Sequence, residues 1–195
     1  MPKGFIFDLD GVIVDTAKYH FKAWQSLAKN LQYNFTEQDN EQFKGVSRVR
    51  SLELLLEMAQ YKATQKEKAQ WLTEKNDHYL SLISNMNASE ILPGITEILT
   101  ALKAQKIHIA LGSASKNAKP ILEKVGLLSY FDVLVDGNEV AKAKPDPEVF
   151  LTAAKGLGVA PENCVVFEDA LAGVAAAKAA QMVCVAIGDP AILFK

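Results

Sequence analysis

The residues Phe5-Ile6-Phe7-Asp8-Leu9-Asp10-Gly11-Val12 decide the fold of this chain, because an apolar run ends there in two carboxylates one residue apart. A strand that leaves a sheet points residues i and i+2 to the same side, so Asp8 and Asp10 are predicted to face one cleft. At about 4 Å, two like charges repel by about 4 kcal/mol at an effective dielectric of about 20, and a divalent cation would offset this repulsion. Taken alone, the pair is equally compatible with a strand end followed by a turn at Gly11.

The composition excludes several classes of protein. The chain has 195 residues, of which 49% are apolar and 23% are charged, so it can bury a full hydrophobic core. Its net charge of -2 and its scattered Lys and Arg residues give no electrostatic footprint for nucleic acid. Since no apolar run approaches the roughly 18 residues that span a bilayer and the N-terminus lacks the basic stretch and apolar core of a signal peptide, we expect a cytoplasmic protein without a membrane partner. We also expect it to be a monomer.

Five short apolar runs rich in β-forming residues are interpreted as strands. They cover residues 4–7, 107–111, 133–135, 164–167 and 183–187. Each of the last four follows a helical pattern, which predicts βαβ units and an α/β fold with helices on both faces of a parallel sheet. In such sheets the ligand site lies beyond the carboxyl ends of the strands. Cys164 and Cys184 lie in these runs without metal-ligand spacing and are interpreted as buried thiols.

The interval between the first and second strands is far longer than the about 10 to 12 residues that a crossover needs. It carries apolar residues at three- and four-residue spacing in residues 17–31, 47–60 and 64–84, with Ser47 as a candidate N-cap. Pro93-Gly94 marks the return of the chain, and residues 95–104 form the next predicted helix. We therefore expect an α/β core of residues 1–14 and 93–195, with a helical unit of residues 15–92 inserted after the first strand.

Four polar clusters follow the ends of predicted core strands. They are Asp8 with Asp10; Ser113 with Ser115, Lys116 and Asn117; Lys144; and Glu168 with Asp169. Each has an ordinary explanation by itself: a turn hydroxyl for Ser113, a solvated lysine for Lys144, and a helix-start pair for Glu168-Asp169. Chance would rarely place a hydroxyl, a lysine and an acidic pair after three of the remaining strands, so their order favours one shared site.

On these motifs the chain resembles the haloacid dehalogenase superfamily over essentially its whole length. The resemblance implies a Rossmann-like core with a parallel sheet, an inserted α-helical cap domain and Mg²⁺ as the cofactor. It implies that Asp8 is the nucleophile that forms an aspartyl phosphate and that Asp10 is the general acid and base. Ser113 and Lys144 would hold the transferring phosphoryl group. The implied Mg²⁺ ligands are the Asp8 carboxylate, the Asp10 backbone carbonyl, Glu168 and Asp169.

Asp10 needs an unusual environment for this role. Protonating a carboxyl group whose ordinary pKa is about 3.9 costs about 4 kcal/mol at pH 7. Burial and the neighbouring Asp8 must therefore raise the pKa of Asp10, and the inserted helices are the expected lid that excludes water.

Within the superfamily, residues 15–24, 44–52, 75–77 and 113–117 resemble the β-phosphoglucomutase family. This resemblance implies the interconversion of β-D-glucose 1-phosphate and D-glucose 6-phosphate through β-glucose 1,6-bisphosphate, with small sugar phosphates as the partners. It assigns substrate contacts to Thr16, His20, Lys44, Gly45, Val46, Arg48, Ser51, Lys75, Ser115, Lys116 and Asn117.

Among these residues, Arg48 is implied to bind the second phosphate together with Ser115, Lys116 and Asn117. A guanidinium group suits that role because its planar fork grips phosphate in a bidentate manner. His20 and Lys75 are implied to align the sugar and Asp10. Without the resemblance, packing on the first inserted helix explains His20 better.

Two departures from the family pattern carry expectations of their own. Arg50 stands where the pattern has an acidic residue, and we expect it to alter the polarity of the pocket rim. The chain ends at Lys195, where the family continues with another strand and helix, so an exposed apolar sheet edge is expected. Two alternative functions stay open: a sugar-phosphate phosphatase, in which water attacks the aspartyl phosphate, and a catalytically impaired phosphosugar-binding protein.

Overall fold

The computed structural model describes residues 2–188, and its centre is a parallel five-stranded sheet in the order β3-β2-β1-β4-β5. The strands are Gly4–Phe7 (β1), His108–Gly112 (β2), Val133–Val135 (β3), Cys164–Glu168 (β4) and Val183–Ala186 (β5). The predicted α/β fold with a parallel sheet is therefore confirmed. Each predicted strand agrees with an observed strand to within one residue at either end.

The helices alternate with the strands except in the long interval after β1. In chain order they are Ala17–Asn30 (α1), Glu37–Glu41 (α2), Arg48–Met58 (α3), Gln65–Leu82 (α4), Ile95–Ala104 (α5), Ala118–Lys124 (α6), Glu148–Leu157 (α7) and Leu171–Ala179 (α8). The three long helices predicted in the insertion are α1, α3 and α4. The short α2 was not predicted; its ordering comes from a capping box between Thr36 and Asp39 rather than from an apolar stripe.

Strand β1 occupies the middle of the sheet and is covered on both faces. Ile6 packs in one buried cluster with Val166, whereas Phe7 packs in the other with Leu111. This alternation follows from the two-residue period of a strand, and helices on both sides explain why the core strands consist almost wholly of apolar residues. Because the strands run parallel, the segments that follow β1, β2, β3 and β4 meet at one edge of the sheet.

The inserted helices have an apolar cluster of their own. Trp24 and Leu27 of α1 pack there with Phe43 and with Leu52 and Leu55 of α3. Helix α3 begins as predicted, because the side chain of its N-cap residue, Ser47, accepts a hydrogen bond from a backbone N–H of the first turn. The insertion therefore has an apolar cluster of its own, although Ala23 of α1 and Tyr79 of α4 pack in the cluster that includes the sheet. The proposed boundaries at residues 14/15 and 92/93 stay a prediction.

The outgoing and returning segments of the insertion lie side by side. Val14 and Ile91 form an antiparallel bridge, and Asp15 N donates to Glu90 O at 3.0 Å. The Glu90 carboxylate also accepts hydrogen bonds at 2.6 Å from Lys18 and Tyr19 at the start of α1. Two paired segments therefore connect the insertion to the core.

Strand β5 is an edge strand with an exposed apolar side. Val183 is 61% exposed and Val185 is 41% exposed, so this face of β5 is apolar and open to solvent. Cys164 is buried, but Cys184 in β5 is only half-buried, so the interpretation of Cys184 as a buried thiol is wrong. The expectation of an exposed apolar sheet edge depends on residues 189–195, which lie outside the described part, so it stays a prediction. Among residues 2–188, no helix combines the length and apolarity that crossing a bilayer requires.

Candidate active site

The segments beyond the carboxyl ends of the strands and the inserted helices enclose a cavity of about 510 Å³. Most of the residues predicted from the sequence line it. Those residues are Asp8, Asp10, His20, Lys44, Gly45, Val46, Arg48, Ser51, Lys75, Ser113, Ser115, Lys116, Asn117, Lys144 and Asp169. The two predicted residues outside the lining, Thr16 and Glu168, are fully buried directly behind it and bind residues that face the cavity.

At the floor of the cavity, one lysine lies between two carboxylates. Lys144 Nζ donates to Asp8 Oδ1 at 2.7 Å and to Glu168 Oε2 at 2.8 Å. All three side chains are buried. Burial alone would lower the pKa of Lys144, but the charges of Asp8 and Glu168 outweigh it and raise the pKa, so the ammonium stays charged. The explanation of Lys144 as a solvated lysine is therefore wrong.

Three carboxylates at this end form a candidate cation site. Asp8, Glu168 and Asp169 each place an oxygen atom within 4.8 Å of the others. Burial and then neighbouring charge, chiefly that of Asp8, raise the pKa of Asp169 above its ordinary value. Hard oxygen donors with an excess of negative charge suit a divalent cation such as Mg²⁺, so the residues present fit that ion.

Gly173 supports this site and was missed in the sequence. It lies in the first turn of α8, where a Cβ atom would overlap the Glu168 carboxylate. The absence of a side chain therefore makes room for a buried charge. The only signal available was a glycine early in a predicted helix, where glycine is otherwise unfavourable.

Asp10 lies at the boundary between the core and the insertion. Its side chain is 29% exposed, and its Oδ1 accepts a hydrogen bond from the Thr16 hydroxyl. Enclosure in the site, followed by the charge of Asp8, raises the pKa of Asp10 to about 6 in spite of the bond from Thr16. A carboxyl group with this pKa can both release and accept a proton near neutral pH.

His20 and Lys75 bring two nitrogen side chains of the insertion to Asp10. Lys75 Nζ lies 3.0 Å from His20 Nδ1, and His20 Nε2 lies 3.9 Å from Asp10 Oδ1. Burial and then the positive charge of Arg48 lower the pKa of Lys75 to about 7. Burial and then Lys75 lower the pKa of His20 well below its usual range, so its ring is neutral. His20 thus presents Nδ1 to Lys75 and Nε2 to Asp10.

Tyr79 completes this group, although its position on an amphipathic helix gave no sign of a role. Its ring stacks on His20 with a centroid separation of 4.2 Å, and Lys75 Nζ lies 4.9 Å from the centroid of the Tyr79 ring. Trp24 presents a second ring to Lys75 at 4.7 Å. Aromatic ring faces at these distances stabilise the ammonium group of Lys75, which burial deprives of hydrating water.

The loop after β2 is folded by its own hydroxyl groups. Ser115 N donates to Ser113 Oγ at 3.1 Å, and Asn117 N donates to Ser115 Oγ at 3.2 Å. The Asn117 amide in turn donates to Asn76 Oδ1 at 3.0 Å on α4. The Ser113 and Ser115 oxygens act as acceptors here, so their hydroxyl hydrogens remain available to a ligand.

Arg48 lines the cavity, whereas Arg50 points away from it. Arg50 is exposed and pairs with Glu53 at 3.2 Å and with Glu57 at 3.0 Å along the outer side of α3. Two residues along a helix correspond to a rotation of about 200°, which takes Arg50 to the opposite side from Arg48. The expectation that Arg50 alters the rim of the pocket is therefore wrong.

Gly45 marks the place where the insertion touches the core. Its φ is +71°, and a Cβ atom there would lie 2.7 Å from the Ala170 Cβ. The glycine therefore allows the backbone of the insertion to approach the loop next to Asp169 closely. The nearby Lys44 lowers the pKa of Asp169 by its charge, and thus partly opposes the effect of burial.

Comparisons with known proteins found a family model, sequences and structures that are similar to this chain. The family model of the haloacid dehalogenase-like hydrolases matches residues 2–181. The chain is 45% identical over 189 residues to a β-phosphoglucomutase of Bacillus subtilis, covering 96% of this chain and 84% of that protein. It is 34% identical over 177 residues to a phosphorylated carbohydrates phosphatase of Thermotoga maritima, covering 90% and 80% of the two chains. A crystal structure of β-phosphoglucomutase from Clostridium difficile matches with a TM-score of 0.96 at 43% identity, covering 100% of this chain and 88% of that one.

Proposed function

Because the chain belongs to the haloacid dehalogenase-like hydrolase family, we propose that it is a phosphoryl-transfer enzyme that acts as a β-phosphoglucomutase. The reaction interconverts β-D-glucose 1-phosphate and D-glucose 6-phosphate through β-glucose 1,6-bisphosphate. The observation that carries this proposal is that the core and the insertion both present cationic side chains to one cavity. Lys144 lies beside Asp8, and Arg48 and Lys116 line the wall formed by the insertion and the loop after β2. A bisphosphate requires two such anion sites.

Asp8 is the proposed nucleophile. Its carboxylate oxygen would form a bond to phosphorus while the bond between phosphorus and the sugar oxygen breaks. Lys144 uses two of its three donor hydrogens on Asp8 and Glu168, which leaves the third for an equatorial phosphoryl oxygen. The Ser113 hydroxyl supplies a second donor.

The proposed metal is Mg²⁺, held by the carboxylates of Asp8, Glu168 and Asp169 and by the backbone carbonyl of Asp10. When bound, the ion would neutralise charge that develops on the phosphoryl oxygens. Glu168 is fixed for this role because its Oε1 accepts hydrogen bonds from Asp169 N at 3.1 Å and from Ala170 N at 3.0 Å.

Asp10 is the proposed general acid and base. It gives its proton to the sugar oxygen that leaves phosphorus, and it takes the proton from the sugar hydroxyl that attacks the aspartyl phosphate in the reverse transfer. A pKa of about 6 suits both directions. Thr16, His20 and Lys75 would hold the carboxyl in place as residues 15–92 close over the sugar, and Lys44, Gly45, Val46 and Ser51 would line the sugar pocket.

Arg48, Ser115, Lys116 and Asn117 are proposed to bind the phosphate that is not being transferred. After one transfer the bisphosphate turns over in the site, so that its other phosphate faces Asp8. A hydrolase that acts on a monophosphate has no need of a second anion site. The small-molecule partners are therefore sugar phosphates, and the monomeric state and cytoplasmic location stay predictions.

One assay tests the proposal. The purified protein is incubated with Mg²⁺, β-glucose 1-phosphate and a trace of β-glucose 1,6-bisphosphate, and both glucose 6-phosphate and free phosphate are measured. Glucose 6-phosphate formed in excess of phosphate is the expected result. Release of phosphate without glucose 6-phosphate would overturn the mutase in favour of a sugar-phosphate phosphatase. Binding of the sugar phosphate with neither product would favour the catalytically impaired binding protein.

A further inference from the structure

We propose that Asn76 is a positioning residue, which orients the side chain of Asn117 and so transmits the closed position of the inserted helices to the loop of residues 113–117. The proposal rests on the proposed function for the identity of the substrate. Its geometric basis does not depend on that identity.

The hydrogen bond between Asn117 and Asn76 joins the two units directly. Asn117 Nδ2, in the loop between β2 and α6, donates to Asn76 Oδ1 on α4 at 3.0 Å, across 41 residues of sequence. Both side chains are half-buried. Since one partner belongs to the insertion and the other to the core, opening of the cavity must break this bond.

Asn76 is placed to act through Asn117 rather than on a ligand. Among the described residues that line the cavity, Asn117 is present and Asn76 is not. An asparagine amide nitrogen carries two hydrogens, and the bond to Asn76 occupies one of them. The amide plane is then fixed, and the second hydrogen of Asn117 is held for an anion in the cavity. Without Asn76 the amide is free to rotate and to present its electron-rich oxygen to a phosphate instead.

The orientation of Asn117 is linked in turn to the floor of the site. Asn117 N donates to Ser115 Oγ and Ser115 N donates to Ser113 Oγ, so the three residues form one hydrogen-bonded chain. On the other side, Asn76 directly follows Lys75, whose ammonium group contacts His20. One turn of α4 therefore touches both the acid–base end of the cavity and the loop that binds phosphate.

A double-mutant cycle tests whether Asn76 works through Asn117. Asn76→Leu removes the acceptor at similar volume, and the KM for β-glucose 1,6-bisphosphate is expected to rise about three- to tenfold, as for the loss of one hydrogen bond. In an Asn117→Ala background the same substitution is expected to change KM by less than about twofold. Asn76→Asp, which keeps an acceptor oxygen, should restore part of the loss. Glu74→Ala, on an exposed position of α4, is the matched control and should leave KM unchanged.

Either of two results would overturn the proposal. The first is an equal rise in KM in both backgrounds, which would make Asn76 act independently of Asn117. The second is a wild-type KM in Asn76→Leu. Circular dichroism of each variant verifies that it is folded, and Asn76→Ala, which also removes the acceptor, takes the place of the leucine variant in the cycle if that variant is unfolded.

A second measurement separates this proposal from the proposed function. The side-chain amide signals of Asn117 are identified in a ¹⁵N–¹H spectrum by their loss in Asn117→Ala. They are expected to shift and to exchange faster with solvent in Asn76→Leu, and not in Glu74→Ala. This result requires no turnover, so it stands even if β-glucose 1-phosphate is not a substrate. Unchanged Asn117 signals in Asn76→Leu would contradict the positioning role whatever the enzyme does.

Discussion

Lys144 Nζ lies 2.7 Å from Asp8 Oδ1, although 136 residues separate the two along the chain. The same ammonium group also binds Glu168, so a single cation contacts two buried carboxylates and offsets part of their charge. Loss of one partner from such a buried arrangement leaves unpaired charge, which is far more costly than loss of a pair at the surface. Lys144 is therefore expected to matter for stability as well as for catalysis.

Replacing Lys144 by Met should lower the free energy of unfolding by about 3 kcal/mol in the absence of divalent cations, because Asp8 and Glu168 would repel each other without compensation. Urea unfolding measures this difference. The control is Lys142→Met, which removes a lysine that is largely exposed and should cost less than about 0.5 kcal/mol. An equal decrease in the free energy of unfolding in both variants would show that the buried ion pair stabilises the protein no more than an exposed lysine does.

Replacing Asp8 by Asn should abolish turnover, since an amide does not attack phosphorus. Incubation of the wild-type protein with acetyl phosphate and Mg²⁺ should give a phosphorylated chain in the intact mass spectrum, and Asp8→Asn should give none. The control is Asp132→Asn. Asp132 directly precedes β3, at the end of the sheet away from the cavity, and accepts a hydrogen bond from Ile109 N. This variant should still be phosphorylated. Phosphorylation of the Asp8→Asn chain would assign the nucleophile elsewhere.

Replacing Arg48 by Ala should lower kcat/KM for β-glucose 1-phosphate about 10- to 100-fold, which corresponds to the loss of a charged hydrogen bond. Hydrolysis of acetyl phosphate, which lacks a second anionic group, should fall much less. Arg50→Ala is a close control, because this side chain lies two residues away and pairs with Glu53 and Glu57 along the outer side of α3. Equal loss of both activities in Arg48→Ala would make the residue structural.

Mg²⁺ should raise the melting temperature more at pH 8 than at pH 6. Burial and Asp8 raise the folded-state pKa values of Glu168 and Asp169 above their ordinary values, 4.5 and 3.8. Their contribution to stability is therefore present below those ordinary values and is lost as the pH rises through the folded-state values. A divalent cation binds the ionised forms and offsets this loss, so its effect grows with pH. Asp169→Asn should remove most of the difference, and a Mg²⁺ effect independent of pH would contradict the site.

The lowered pKa of Lys75 leads to a second prediction about pH. Its contribution to stability should increase with pH, opposite to that of Glu168 and Asp169, and the melting temperature again measures it. Burial and Arg48 lower its folded-state pKa to about 7, from an ordinary value of 10.5. Between these values the unfolded chain binds more protons than the folded one, so stability rises with pH, by at most about 1.4 kcal/mol per pH unit. In the absence of ligand, wild-type protein should gain stability from pH 7 to pH 9 relative to Lys75→Met. A constant difference between the two proteins would mean that Lys75 keeps its ordinary pKa.

The spacing of apolar residues predicted the strands and helices well where one or both faces of the element are buried. The strands of the core are covered on both faces, so they appear as short apolar runs, and α1, α3 and α4 each pack an apolar face. Helix α2 was missed because its five residues bury only Asn40. Arg50 was misjudged because a family pattern of residue types does not show which side of a helix faces the cavity.

The sequence by itself determined the α/β architecture, the insertion after the first strand and the set of polar residues that meet beyond the strand ends. It could do so because apolar periodicity reports burial, and charged residues that interrupt it at strand ends need a reason to be there. Only the tertiary structure decided which of these groups touch: Lys144 between Asp8 and Glu168, Tyr79 on His20, and Asn76 with Asn117. These contacts depend on the order β3-β2-β1-β4-β5 and on the rotation of α1 and α4 about their axes, which are set by packing across the whole molecule and not by any local pattern.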